Sequence, residues 1–158
     1  MANTQSMCTS FLGELMTATH NFGVAPIRAA TTADTFKAAL YLVSATVDAA
    51  TTVYSSTGEV TGTNYTAGCV VVTGANAPTA TNSSATAGVG YWTPSASIVY
   101  TTVTLATAFD AVLIYNNSQG DKAVSVHTFG SQTITAGTFT LTMPVNTTTT
   151  ALLRLATT

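Results

Sequence analysis

The strongest periodicity in the chain begins at Ser97. The stretch "SIVYTTVTLAT" (97–107) is rich in β-branched and aromatic residues, the types that fit a pleated, half-buried surface. In "AFDAVLIYN" (108–116), Phe109, Ala111, Leu113 and Tyr115 alternate with Asp110, Val112 and Ile114, which is the two-residue period of a strand. "KAVSVHTFG" (122–130) repeats the pattern across the polar run Asn116–Asp121, so the pair predicts a β-hairpin. "SQTITAGTFTLTMP" (131–144) predicts a second hairpin that turns at Ala136-Gly137, with Phe139, Leu141 and Met143 on one face. "ALLRLAT" (151–157) closes the series as a strand after the linker 146–150.

Upstream, "TFKAALYLVSATV" places Phe36, Ala38, Leu40 and Leu42 on one face and Lys37, Ala39, Tyr41 and Val43 on the other. Both faces are mostly apolar, as in a strand buried on two sides. Gly58 and Gly62 mark turns in the Thr-, Ser- and Gly-rich stretch 48–66, and "TAGCVVVTG" predicts a strand around 68–73. The low-complexity run 74–90 predicts a long surface loop. It ends at Tyr91-Trp92, where the lone tryptophan either closes the core or anchors an interface; packing inward is the more common fate of such a residue. Helical spacing occurs once, at Phe11, Leu12, Leu15 and Met16, and predicts a short amphipathic helix over Ser10–His20 that stops at Asn21-Phe22-Gly23.

Short strands with turn signals at regular spacing, and no crossover helix, predict an all-β antiparallel sandwich. A jelly-roll-like arrangement is the first expectation and an immunoglobulin-like one the second. The division expected is an N-terminal arm with its helix, 1–33, and a β-sandwich, 34–158. The arm's change of pattern predicts that it contacts a neighbouring subunit rather than completing its own sandwich. The candidate interface residues are accordingly Phe11, Leu12, Leu15, Met16, Phe22, Tyr91 and Trp92.

Composition sharpens the picture. Only 6% of the 158 residues are charged and the net charge is −2, against about a quarter charged in an ordinary globular domain. The four basic residues, Arg28, Lys37, Lys122 and Arg154, are scattered. They form no stripe for a nucleic-acid backbone or an anionic membrane surface. A neutral, Thr-rich exterior suits a protein held in a large assembly, where it can be covered without stranding charges. The N-terminus lacks the basic start and unbroken apolar run of a secretory signal, and no stretch has the length of a membrane span. Cys8 and Cys69 make no disulfide framework and are expected as reduced thiols. The sequons at Asn64, Asn82, Asn116 and Asn146 are what chance gives in a chain this rich in Asn and Thr.

Catalytic groups are sparse. His20 and His127 are the only histidines. Ser125 and His127 with one of six acids would be needed for a triad, and no nucleophile-elbow motif supports one. Asp34, Asp48, Glu59, Asp110 and Asp121 sit in no recognisable paired-carboxylate frame, and their expected role is turn chemistry and solvation. No metal-ligand spacing and no phosphate-binding glycine loop occurs. The expectation is a protein that is not an enzyme and that carries no cofactor or metal.

The block "FDAVLIYNNSQGDKAVSVHTFGSQTITAGTFTLTMP" resembles one found in small virion proteins of tailed bacteriophages: a strand ending in "LIYN", a polar turn, "AV.V..FG", then "T.AG.FTLT.P" and a last apolar strand. "DTFKAALYL" and "GEVTGTNYTAGCVVVTG" resemble the family's "FK.ALY" and "GEV.GT.YTAGG" segments. Together they cover most of 35–155, with Cys69 standing where the family pattern has its second glycine. Such proteins are similar to capsid cement or decoration proteins. The resemblance implies a β-sandwich or jelly-roll core and a place on the outside of the virion capsid. The implied partners are the major capsid protein and further copies of itself, as a dimer or trimer, after assembly in the bacterial cytoplasm. The alternative is a tail or fibre β-module that binds a receptor or glycan.

Overall fold

The computed structural model describes residues 3–8, 11, 15, 19, 20, 22, 34–68, 70–72, 79, 80 and 89–156. The fold is all-β. Its strands are β1 (Ser6–Met7), β2 (Phe36–Leu42), β3 (Val70–Val72), β4 (Thr79–Ala80), β5 (Val89–Trp92), β6 (Ile98–Asn116), β7 (Lys122–Leu141) and β8 (Leu153–Ala156). They form a five-stranded sheet in the order β1-β7-β6-β2-β3 and a three-stranded sheet in the order β4-β5-β8. Every pairing is antiparallel.

The centre of the larger sheet follows from its sequence. Where β2 pairs with β6, Ala39 lies opposite Leu113, Leu40 opposite Val112 and Tyr41 opposite Ala111. Ala111–Asn116 are all buried, as are Ala38–Tyr41. Both faces of this region are therefore covered, which is why the alternation of β2 is softened. The polar run between β6 and β7 turns through a single 3₁₀ turn, Asn117–Gln119, capped by the Asn116 side chain, which accepts from the Ser118 amide. Gly120 follows in the left-handed region at φ 67°, where a glycine costs least.

Two expectations about the ribbon are corrected. From Ile98 on, the stretches 97–107 and 108–116 belong to one 19-residue strand. The hairpin expected at Ala136-Gly137 is instead a bulge inside the 20-residue β7. Val103 pairs with Gly137 and Leu105 with Ile134, so one extra residue sits on β7. Ala136 absorbs it at φ 46°, and its amide donates to Thr104 Oγ1. An Ala-Gly pair meets the backbone demand of a bulge as well as that of a turn, and β6 was long enough to keep pairing on the far side. Phe36, Leu40 and Leu113 are buried as the pattern predicts, whereas Phe139 and Leu141, beyond the bulge, are half-buried.

The N-terminal expectation changes more. Phe11 and Leu15 are helical, as predicted. The segment before them is pinned to the body of the domain. Asn3 Nδ2 donates to the Leu42 carbonyl at 3.1 Å and to Asp110 Oδ1 at 2.6 Å, and Asn3 Oδ1 accepts from the Val47 amide. β1 then pairs Ser6 with Val126 and Met7 with Ser125 on the outer side of β7. Buried Cys8 follows, with its amide on the Val124 carbonyl; Cys69 lies outside the described residues. The described part of 1–33 is thus an edge and a lid of the same domain, not a separate arm. No described helix is long and apolar enough to cross a membrane.

Candidate functional site

The predicted interface residues fall into three groups. Phe11, Phe22 and Trp92 are 2%, 8% and 3% exposed. They meet in one aromatic cluster with His20 and Phe36: Phe22 stacks on Phe36 at 4.5 Å and meets Trp92 edge-on at 4.8 Å, while Phe11 meets His20 at 4.8 Å. This cluster joins the N-terminal segment, β2 and β5, so it closes the domain's own core. The interface role expected of these three is corrected accordingly: buried rings already packed edge-to-face have little surface left for a partner. For Trp92 the inward alternative holds. Leu15 is half-buried against the same core, and Tyr91 is half-buried on β5 opposite Thr79 and Arg154. Leu12 and Met16 lie outside the described residues.

A polar cluster that the sequence reading missed centres on Glu59. Expected as a solvated turn acid, it is 5% exposed. Its Oε2 accepts from the Tyr54 hydroxyl at 2.6 Å, and its Oε1 accepts from the Tyr65 hydroxyl at 2.6 Å and the Gly68 amide at 2.7 Å. The network continues outward. Tyr65 Oη accepts from the Leu40 amide, Tyr115 donates to the Gly68 carbonyl, and Tyr54 stacks on Tyr115 at 4.6 Å. Gly68 sits at φ 59°, and a Cβ there would lie 2.6 Å from the Tyr115 hydroxyl, so both backbone and space demand glycine. Burial first, then hydrogen bonding to Glu59, pushes the Tyr54 and Tyr65 hydroxyls well above the ordinary tyrosine value. Burial likewise pushes Tyr41 up to about 12. These hydroxyls stay protonated and donate; the cluster is a tie between the 54–68 segment and the sheet, not a source of a base.

The remaining acids among the described residues are also engaged. Asp34 accepts from Asn116 Nδ2 at 2.7 Å and from Gln119 Nε2 at 3.1 Å, and the same Asn116 nitrogen lies 3.0 Å from His20 Nδ1. Asp48 accepts from the Ala50 amide and Asp121 from Asn117 Nδ2, which is the turn chemistry expected of them. No group of three or more His, Cys, Asp or Glu residues among the described ones is placed to hold a metal ion. A shallow, mainly apolar cavity of about 430 Å³ lies beside Tyr41, with Ala45, Val47 and Val53 among its lining together with Ser44, Thr51 and Ser55. Tyr41 donates to the Ser55 carbonyl, so that hydroxyl is already spoken for.

Ser125 and His127 do meet. Ser125 Oγ lies 2.9 Å from His127 Nε2, as residues two apart on one strand face can. Burial holds the His127 pKa down to about 4, from an ordinary 6.5. The unfolded chain therefore takes up a proton in a range where the folded protein does not. The contribution of His127 to stability is complete above about pH 7, falls as the pH drops, and levels off below about 4. By pH 4.5 the loss is expected to reach about 2–3 kcal/mol. Urea denaturation of the protein and of His127→Gln at pH 7 and pH 4.5 checks this: the variant should lose distinctly less stability than the parent on acidification.

Among the described residues, the acids and tyrosines of this region form buried polar ties, and the exposed part of β7 is neutral and hydroxyl-rich. No protein-family model matches the chain, and comparison with curated proteins and with solved structures gave no match.

Proposed function

We propose that the chain is a non-enzymatic structural protein of a tailed-phage virion. It binds the outer surface of the capsid, on the major capsid protein, as a homo-oligomer, and stiffens the shell. The observation that carries this reading is the block 109–144, whose order and spacing resemble small capsid-decorating proteins. That block spans the C-terminal part of β6 and all of β7, the two longest strands of the domain.

The surface chemistry supports the same reading. Along β7, Ser131, Gln132, Thr133, Thr135, Thr138 and Thr140 are exposed and uncharged. Contacts built from such groups lose little when covered, since no ion has to shed its hydration shell. A shell offers many equivalent sites, and an oligomer that engages several at once adds weak contacts into firm attachment.

The test is to remove the protein from assembled heads and measure their heat tolerance alongside its copy number. Heads lacking it are expected to rupture at lower temperature, and re-addition should restore tolerance. Unchanged tolerance, with too few copies to cover a shell, would favour the tail or fibre module instead.

A further inference from the structure

The larger sheet ends unevenly. On one side the edge is β3, only three residues long. On the other, β1 covers β7 at Ser125 and Val126 alone, with the Cys8 amide adding Val124. Beyond that cover β7 runs on to Leu141, and among the described residues it has no partner strand on its outer side. Past that cover, register shifts interrupt the ladder between Thr128 and Gln132, between Gln132 and Ile134, between Ile134 and Gly137 and between Gly137 and Phe139. The last of these carries its extra residue on β6, where Thr102 has φ 52°. From there pairing is regular: Phe139 opposite Tyr100, Thr140 opposite Val99 and Leu141 opposite Ile98.

Natural proteins guard exposed edges with lysine, proline or inward-pointing charge. From Ala123 to Met143 there is no Lys, Arg, Asp, Glu or Pro. The bulges on β7 protect its middle by twisting it, but from Gly137 to Leu141 β7 carries no extra residue, the shift there falling on β6. Its two faces are also unfinished. Phe139, Leu141 and, just past the strand, Met143 are only half-buried, while on the other face Thr138 and Thr140 are exposed and the neighbouring Val99 is 39% exposed.

We propose that Gly137–Leu141 pairs with the same segment of a second copy, antiparallel about a two-fold axis near Phe139, so that the two larger sheets become one. The inference deepens the homo-oligomer of the proposed function and rests on that reading. Self-pairing fits this edge for three reasons. A strand that meets itself antiparallel makes an isologous contact, which closes at two copies and uses up the β7 edge of both, leaving only the three-residue β3 at each outer side. The segment is neutral, so two copies bring no like charges together. The axis sets Phe139 beside its counterpart, a cross-strand aromatic pair of the kind that stabilises antiparallel sheets, and covers the half-exposed apolar face.

Light scattering coupled to gel filtration, over a concentration series of the full chain, reads the result directly. The expected mass is twice the 16.1 kDa of one chain. Thr138→Lys/Thr140→Lys changes two exposed side chains and sets like charges across the axis; it should give the single-chain mass with an unchanged far-UV circular dichroism spectrum. Thr140→Lys alone is read in the same way if the pair fails to fold. Ser131→Lys/Thr133→Lys, in the bulged part of the same strand, should stay dimeric. A parent protein that is monomeric throughout or forms a higher oligomer, an edge variant that stays dimeric, or a control that dissociates overturns the inference. These masses are measured without capsids, so a wrong edge and a wrong location on the virion give separate results: heads that need the protein for heat tolerance while it stays monomeric alone would sink only the pairing.

Discussion

Leu113→Ala is expected to lower the unfolding free energy by about 4 kcal/mol, within the 2–5 kcal/mol seen when a large buried aliphatic side chain is cut back to a methyl. Leu113 has no exposed surface. It sits mid-strand on β6, opposite Ala39 of β2 on one side and Val126 of β7 on the other. Residues on both sides of it in the chain are buried as well. A strand hydrogen-bonded along both edges and covered on both faces cannot shift to fill a void, so most of the cavity would persist. Urea denaturation gives the value directly, with the slope unchanged and the midpoint lowered. A loss below about 1 kcal/mol would show that the site collapses around the smaller residue, and that the centre of the sheet is looser than its burial indicates.

The same region shows what the sequence could reveal. Alternation in 36–42 and 108–116, and the polar run between Asn116 and Asp121, are local signals, and the strands and turn they predict are present. The Ala136-Gly137 pair was ambiguous because a bulge and a hairpin turn make the same request of the backbone, a residue at positive φ. What separated them was the length of the opposite strand, which is a property of the pairing and not of the dipeptide. The interface assigned to Phe11, Phe22 and Trp92 failed for a related reason. An apolar stripe says that a face must be covered and is silent on whether the cover is the same chain or another. Here Phe36, at the start of β2, supplied it.

The Glu59 cluster was the least legible feature. A lone glutamate in a Gly- and Thr-rich stretch has the local signature of a turn. Its donors come from positions five, six and nine residues away, a spacing that matches neither a strand nor a helix period. The one clue was compositional: tyrosines at 41, 54, 65, 100 and 115 in a chain with six in all. A buried phenol nearly always finds a hydrogen-bond partner, so such a set asks for acceptors, and a single acid nearby is a strong one.

Glu59→Ala is accordingly expected to cost about 4 kcal/mol, because it strands several donors at once, each worth about 1–3 kcal/mol when buried without a partner. Tyr54, Tyr65 and the Gly68 amide all lose their acceptor. The Gly68 amide has no means of turning elsewhere, held as it is by a left-handed backbone and by Tyr115 on its carbonyl. Tyr65 is held in turn by the Leu40 amide, so a swing toward solvent would break a contact to β2. Glu59→Gln is the informative companion. Its amide oxygen can keep the two Oε1 bonds, and its amide nitrogen can donate to a reoriented Tyr54 hydroxyl, so its cost should be about half that of the alanine variant. Equal losses for the two variants would mean that the charge of the carboxylate, and not the number of its partners, holds the 54–68 segment against the sheet. An alanine variant as stable as the parent would mean that water enters and replaces the acid. Denaturation of the three proteins side by side at neutral pH decides among these outcomes, and tyrosine absorbance titration adds an independent reading. Without Glu59, the hydroxyls of Tyr54 and Tyr65 lose the neighbour that helps keep them protonated, and they should ionise at lower pH than in the parent.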